Sequence, residues 1–185
     1  MDANAVTIVV MPVLVSDPLP AELEALLERR RATGADRRDE IWEGVLHMAP
    51  APQRRHADIQ AQLLALLRPH ALAAGLRPLG DFNLGQPDDY RIPDAGLVAP
   101  GSDALYLPTA ALIIEVLSPN DETWQKLPFY ALHHVQEVLV VDPDTHKVDW
   151  LALTGGRYDP IERSRLIDIG PAQLATQIDW PAVEG

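Results

Sequence analysis

The order of apolar and polar residues predicts helices and strands in alternation along most of the chain. Leucines at helical spacing predict one helix at 20–32, and a longer apolar face that includes Ile59, Leu63 and Leu67 predicts another at 56–74. A third helix is expected after the polar break at 118–121, ending near residue 134. Short apolar stretches bounded by glycine, proline or aspartate predict strands at 41–48, 76–84, 92–98, 111–117, 138–141, 147–153 and 158–161.

The near-continuous apolar run at 111–117 predicts a central strand that is buried on both faces. The pattern shows no repeat and no linker, so we expect one α/β domain over 1–185, with a mixed central β-sheet flanked by helices. The apolar segment 6–15 is interrupted by Pro12 and is too short to span a bilayer. We therefore expect 1–18 to form an N-terminal arm or strand, and 164–185 to form a C-terminal extension.

This central strand contains a carboxylate, Glu115, within an otherwise apolar run. An ionised carboxylate in a low-dielectric interior becomes neutral, finds a charged partner or coordinates a metal. Asp94, which follows Pro93 at the start of another predicted strand, supplies a second carboxylate. Two such side chains favour a divalent cation such as magnesium, which prefers oxygen ligands and retains water.

Other interpretations of the same residues remain open. Asp94 could be an ordinary strand-start or turn residue, and Glu115 could form a buried ion pair with Arg91 without any metal. A lysine two residues after Glu115 would share its face of the strand, but the chain has Leu117 there. The nearest lysine is Lys126, on the helix that follows.

Three neighbouring residues decide whether Lys126 can reach the two carboxylates. Pro128 clashes with the carbonyl of Trp124 unless it lies in the first helical turn, so the helix could begin late. Glu122, four residues before Lys126, could form an ion pair with it. A solvated helix lysine is the remaining interpretation.

Composition and charge restrict the class of protein. Of 185 residues, 47% are apolar and 23% charged, which is typical of a globular domain, and the lack of cysteine excludes thiolate sites and fits a reducing compartment. No targeting signal is recognisable, so we expect the cytoplasm and no membrane association. The net charge of −12 argues against non-specific coating of nucleic acid, but not against an enzyme with a local basic patch. The run Arg29-Arg30-Arg31 is offset by Glu24 and Glu28, which predicts a solvated face.

Several segments, taken in order, resemble the Uma-type restriction endonuclease group of the PD-(D/E)XK nuclease superfamily. They are DEIWEGVLHMAP at 39–50, His56 at the start of a helix, YRIPD at 90–94, IEVLSP at 114–119, Lys126 with Tyr130, and VQEVLVVDP at 135–143. The resemblance covers most of the chain and implies a restriction endonuclease-like PD-(D/E)XK core.

The resemblance also implies a function and a site. Asp94 and Glu115 would bind Mg²⁺ or Mn²⁺, with a backbone carbonyl near Val116 completing the shell. Lys126 would be the motif lysine, displaced from the strand to the helix, and would position the attacking water. The protein would then be a metal-dependent endonuclease that hydrolyses phosphodiester bonds in DNA.

Two further residues are candidates for the same site. His56, at a helix N-terminus beside Arg54 and Arg55, could contact phosphate, or it could be a surface histidine. Glu43 could be a third acidic ligand, or it could be an exposed carboxylate in the turn beside Gly44.

A second hypothesis belongs to another class of protein: a catalytically inactive PD-(D/E)XK-like module used for binding or assembly. The net charge of −12, the missing strand lysine and Pro128 favour this hypothesis. A homodimer would suit either hypothesis, since paired sites suit cleavage of a duplex.

Overall fold

The computed structural model describes residues 20–101, 103–119 and 121–181. The predicted N-terminal arm at 1–18 lies outside these residues. Within them the helices are α1 (Ala21–Thr33), α2 (Arg54–Ala73), α3 (Thr123–Leu132) and α4 (Pro171–Ala175), with a 3-10 turn at Ala35–Arg38. No helix in this part of the chain is both long and apolar enough to cross a membrane.

The strands form two mixed sheets. They are β1 (Glu40–Trp42), β2 (Val45–His47), β3 (Arg77–Leu79), β4 (Asn83–Gln86), β5 (Asp89–Arg91), β6 (Ala95–Val98), β7 (Tyr106–Leu107), β8 (Leu112–Val116), β9 (Glu137–Asp142), β10 (Lys147–Thr154) and β11 (Arg157–Pro160). The five-stranded sheet has the order β2-β1-β5-β4-β7, and the six-stranded sheet has the order β11-β10-β9-β8-β6-β3. The predicted α/β class with mixed sheet and flanking helices is confirmed.

The single strand predicted at 76–84 is instead two strands that belong to different sheets. β3 pairs with β6 in the larger sheet, whereas β4 pairs with β5 and β7 in the smaller one. A bend at 80–81 separates them. Apolar content predicted extended backbone here, but strand pairing depends on partners distant in sequence, and this information is absent from the local pattern.

β8 is the central strand that the apolar run predicted. It pairs antiparallel with β6 and parallel with β9. Ile114 on one of its faces belongs to the same core cluster as Ile59 and Leu63 of α2, and Ile113 on the other face belongs to a second cluster with Tyr130 of α3. Because side chains alternate along a strand, Glu115 faces α3.

α3 begins early enough to bring Lys126 toward this sheet. The Asp121 carboxylate accepts a hydrogen bond from the backbone N–H of Thr123 at 2.7 Å, and the helix starts at Thr123. Pro128 lies inside the helix, where it removes one backbone donor without ending it. The backbone N–H of His133 still donates to the carbonyl of Phe129 at 3.0 Å.

The C-terminal residues within the described part of the chain join the main core. Ile167, Ile169, Leu174 and Ile178 are buried in the cluster formed by α2 and the larger sheet. The buried carboxylate of Glu137, which is 1% exposed, accepts hydrogen bonds from Ser164 Oγ and the backbone N–H of Arg165, both at 2.6 Å. Glu137 also accepts from Trp150 Nε1 at 2.8 Å. One buried side chain thus links β9, β10 and the 164–165 segment.

We expect Glu137→Ala to lower the free energy of unfolding by about 3 kcal/mol, because one buried donor and two partly buried donors lose their acceptor. Urea unfolding followed by tryptophan fluorescence and circular dichroism measures the change. Glu162→Ala is the matched control, because Glu162 is exposed. Equal unfolding free energies for the two variants would contradict this role of Glu137.

Candidate active site

Asp94 lies in the bend that precedes β6, beside the C-terminal end of β8. The neighbouring residue Ala95 pairs with Ile114, so the antiparallel register places Asp94 across from Glu115. Asp94 Oδ2 accepts a hydrogen bond from the backbone N–H of Val116 at 2.8 Å. Of the two carboxylates predicted as metal ligands, Glu115 therefore lies in β8 and Asp94 directly precedes the paired strand β6, at the same end of the sheet.

His56 is buried at the start of α2 and contacts the same aspartate. Its Nε2 lies 2.9 Å from Asp94 Oδ1, and its Nδ1 lies 3.0 Å from Ser118 Oγ. A neutral imidazole whose Nε2–H donates to the Asp94 carboxylate has Nδ1 free to accept from the serine hydroxyl. The histidine is 8% exposed, so it is not a surface residue, and its position fixes one oxygen of Asp94.

Glu115 is 3% exposed and is held by two side chains of α3. The Tyr130 hydroxyl donates a hydrogen bond to Glu115 Oε1. Lys126 Nζ lies 3.4 Å from the same oxygen. Lys126 and Tyr130 are four residues apart, so they lie on one face of α3 and reach the same carboxylate.

Glu40, at the start of β1, is a third carboxylate in this cluster and was missed by the sequence prediction. Its Oε1 lies 3.0 Å from Lys126 Nζ and accepts from the backbone N–H of Ile92 at 2.6 Å. Its Oε2 accepts from Trp42 Nε1 at 2.6 Å. The ammonium of Lys126 thus joins a carboxylate from each of the two sheets.

Glu43 lies outside the cluster. It occupies the turn between β1 and β2 with a φ of 50°, and its side chain is exposed. Its backbone N–H donates to Asp89 Oδ1 at 3.0 Å. The acidic residue of this segment that reaches the cluster is Glu40, three positions earlier.

Arg91 does not form the ion pair with Glu115 that the sequence left open. Its guanidinium lies between the rings of Trp42 and Phe129, 4.4 Å and 4.0 Å from their centroids. It donates to Asp89 Oδ1 at 2.8 Å and to the carbonyl of Ile41 at 2.9 Å. Arg91, a residue of β5, therefore links β5 to β1 and to α3, and its guanidinium does not pair with Glu115.

Glu122 does not compete for Lys126. Its carboxylate lies 3.4 Å from His47 Nδ1, and this contact joins the start of α3 to β2. The Lys126 side chain is only 13% exposed, so it is not a solvated helix lysine. The structure places Lys126 between Glu40 and Glu115.

The surroundings of the cluster raise the pKa values of Glu115, Lys126 and Tyr130. Burial, together with the charges of Asp94 and Glu40, raises the pKa of Glu115 to about 8, although Lys126 and the Tyr130 hydrogen bond act the other way. Burial alone would lower the pKa of Lys126, but the charges of Glu115 and Glu40 hold it above its usual value. Burial and the charge of Glu115 raise the pKa of the Tyr130 hydroxyl. At neutral pH the lysine is charged and the tyrosine is a hydrogen-bond donor.

The raised pKa of Glu115 predicts how stability depends on pH in the metal-free protein. The folded state holds the Glu115 proton up to about pH 8, whereas the unfolded chain releases it near the usual value of 4.5. The contribution of Glu115 protonation to the free energy of unfolding is therefore complete below pH 4.5 and is lost as the pH rises through 8. Urea unfolding of wild type and Glu115→Gln in EDTA measures the difference between them. We expect wild type to lose stability relative to the variant between pH 5 and pH 8, and a constant difference would contradict the shift.

The donor set is suited to a divalent cation that keeps much of its water. Glu40, Asp94, Glu115 and Lys126 together carry two more negative than positive charges when all are ionised. Within the described ranges, no three histidine, aspartate or glutamate side chains converge on one metal-binding point. Magnesium is commonly held by one or two carboxylates, with water and substrate phosphate as further ligands. Asp94 and Glu115 fit that pattern.

The two mixed sheets and their flanking helices form a restriction endonuclease-like fold. The Uma2 family, described as "Putative restriction endonuclease", matches residues 20–180. The match spans most of the chain, so the protein belongs to this family, and the resemblance inferred from the sequence is confirmed.

Several solved protein chains share the fold. One of them is described as a "putative nuclease belonging to DUF820 from Anabaena variabilis ATCC 29413", a crystal structure at 1.96 Å resolution. The TM-score is 0.61 and the sequence identity is 17%, over 75% of this chain and 90% of that chain. No curated protein sequence matches the chain.

Proposed function

We propose that this protein is a Mg²⁺- or Mn²⁺-dependent endonuclease that hydrolyses phosphodiester bonds in DNA. The observation that carries the proposal is the meeting of Asp94 and Glu115 at one end of two paired strands, with Lys126 Nζ 3.4 Å from Glu115. Membership of the Uma2 family supports the same reaction class.

Asp94 and Glu115 would hold the cation, with the backbone carbonyl near Val116 as a further ligand. A bound divalent ion would lower the pKa of a water and neutralise charge on a phosphate oxygen. His56 would act as a positioning residue, because its bond to Asp94 Oδ1 fixes the direction of the carboxylate.

Lys126 would donate hydrogen bonds throughout the reaction. Its pKa is raised by Glu115 and Glu40, against the effect of burial, so it stays protonated and does not act as a base. Its ammonium would orient the attacking water and stabilise negative charge that develops on the phosphate. Glu40 would hold the ammonium in place from the opposite side at 3.0 Å.

Two measurements test the proposal together. Calorimetric titration with Mn²⁺ should show binding by wild type and loss of binding in Glu115→Gln. Affinity for Mn²⁺ should rise between pH 6 and pH 8, because binding displaces the Glu115 proton. Wild type should cleave plasmid and linear duplex DNA with Mg²⁺ or Mn²⁺, and EDTA should stop the cleavage. If DNA stays intact both with Mg²⁺ and with Mn²⁺, the nuclease proposal is refuted.

The inactive-module hypothesis keeps one structural argument. Lys126 already pairs with Glu40 and Glu115, so these carboxylates have a partner without a metal. Under this hypothesis the titration shows no Mn²⁺ binding at millimolar concentration, and DNA is not cleaved.

Under the nuclease proposal, the enzyme would act in the cytoplasm, which fits the lack of cysteine. It would act as a homodimer, because two paired sites suit the two strands of a duplex.

A further inference from the structure

The positive charge of this acidic protein is concentrated in one short segment. Residues 29–38 contain five arginines, which are a third of the 15 lysines and arginines of the chain, and a single acidic residue, Asp36. The chain as a whole carries a net charge of −12. The segment comprises the last turn of α1 and the 3-10 turn that follows.

Arg30 has a structural role within this segment. It donates to the carboxylate of Asp39 and to the carbonyls of Ala35 and Ala49, at 3.0, 2.9 and 3.1 Å. These contacts hold α1 against the loop that precedes α2. The carboxylate of Asp39, which follows Arg38 directly, is thereby paired with Arg30.

Arg37 and Arg38, by contrast, remain available to a ligand. Arg37 is exposed, and no ion pair involves it within the described part of the chain. Arg38 has only a long contact to Asp81, at 3.5 Å, in which both side chains are partly exposed (31% and 47%). Arg37 and Arg38 both line a cavity of about 300 Å³, together with Asp81 and residues 49–52.

The same two chain segments that line this cavity continue into the active site. Arg38 precedes Glu40 by two residues, a distance of about 7 Å along extended backbone. On the other wall, the loop at 49–52 leads directly to the start of α2 and to His56. Two short chain segments therefore connect the cavity beside Arg37 and Arg38 to residues of the Asp94–Glu115 site.

We propose that Arg37 and Arg38 bind backbone phosphates of the DNA that enters the active site. Guanidinium groups bind phosphate oxygens in bidentate fashion, and such contacts position DNA without reading its sequence. They supply a local positive surface on a chain whose overall charge repels DNA. This inference rests on the proposed nuclease function, and it assigns the substrate a path across the β1 side of the site.

DNA binding measured without cleavage tests the inference. Fluorescence anisotropy with a labelled duplex, in EDTA and at several salt concentrations, gives the affinity and its salt dependence. For the double variant Arg37→Ala/Arg38→Ala we expect about tenfold weaker binding and a salt slope smaller by about 1.8, because two phosphate contacts are lost. Arg37→Lys/Arg38→Lys keeps the charge and should restore most of the affinity.

Arg77→Ala is the control. It removes one arginine charge, against two in the double variant, from an exposed position just after α2, whose 20 residues span about 30 Å from the His56 end. We expect its affinity and salt slope to equal those of wild type.

The outcomes separate this inference from the proposed function. If wild type cleaves DNA and the alanine double variant binds as wild type does, the arginine assignment is overturned and the nuclease proposal stands. If the double variant binds weakly and wild type never cleaves, the assignment stands and the nuclease proposal falls. If wild type does not bind duplex DNA in EDTA, the arginine assignment is overturned, and the cleavage assay with Mg²⁺ or Mn²⁺ decides the nuclease proposal by itself.

Discussion

Asp94→Asn is expected to lower metal-dependent cleavage of DNA by about a thousandfold or more, while the fold stays intact. Asparagine keeps an oxygen for the backbone N–H of Val116, so the end of β8 should not move. It removes the negative charge that would hold the cation, and the lost stabilisation of the transition state is several kcal/mol. Cleavage rates at saturating Mn²⁺ and Mg²⁺ measure the effect.

Glu43→Gln is the matched control for this experiment. It also neutralises one carboxylate, but at an exposed turn position outside the cluster. Its cleavage rate should equal that of wild type, and circular dichroism should show that both variants are folded. A folded Asp94→Asn protein with undiminished cleavage would remove Asp94 from the catalytic machinery.

Lys126→Met is expected to have the largest effect on stability, about 3–5 kcal/mol at neutral pH. The substitution leaves the Glu40 carboxylate, and the Glu115 carboxylate once it is ionised, buried without the cation that lies 3.0 and 3.4 Å from them. The loss should shrink as the pH falls, because protonated carboxylates no longer need a counter-charge. Urea unfolding between pH 5 and pH 8 measures both the size and the trend.

Cleavage by the folded fraction of Lys126→Met should also be lost, because no other lysine or arginine contacts Glu115 in the described structure. The control is Lys147→Met, which removes the other lysine of the chain from a position that is 64% exposed. Its stability should change by less than about 1 kcal/mol. Equal stability of the two methionine variants at neutral pH would contradict the buried ion pairs of Lys126.

The central strand and its carboxylate could be predicted from local pattern alone. An apolar run of β-formers fixes β8, and side-chain alternation fixes the face on which Glu115 lies. The placement of Asp94 followed from its position beside a second apolar stretch. These predictions succeed because burial and periodicity are properties of a few consecutive residues.

The surroundings of the two carboxylates could not be predicted in the same way. Glu40 and Glu43 are both acidic residues of one hairpin, and only the tertiary fold decides that Glu40 meets Lys126 while Glu43 faces solvent. The Tyr130 ring packs in the core between α3 and the larger sheet, and its hydroxyl also donates to Glu115. Contacts of this kind join residues that are 15 to 86 positions apart.

Diffraction from crystals containing Mn²⁺ tests the central claim most directly, because anomalous scattering locates the ion without reference to activity. The account predicts a single strong peak between the carboxylates of Asp94 and Glu115, within ligand distance of both (about 2.1 Å for an ion of magnesium's size). Glu115→Gln crystals should lack that peak. A peak elsewhere, or Lys126 filling the space between the two carboxylates at saturating Mn²⁺, would contradict the account.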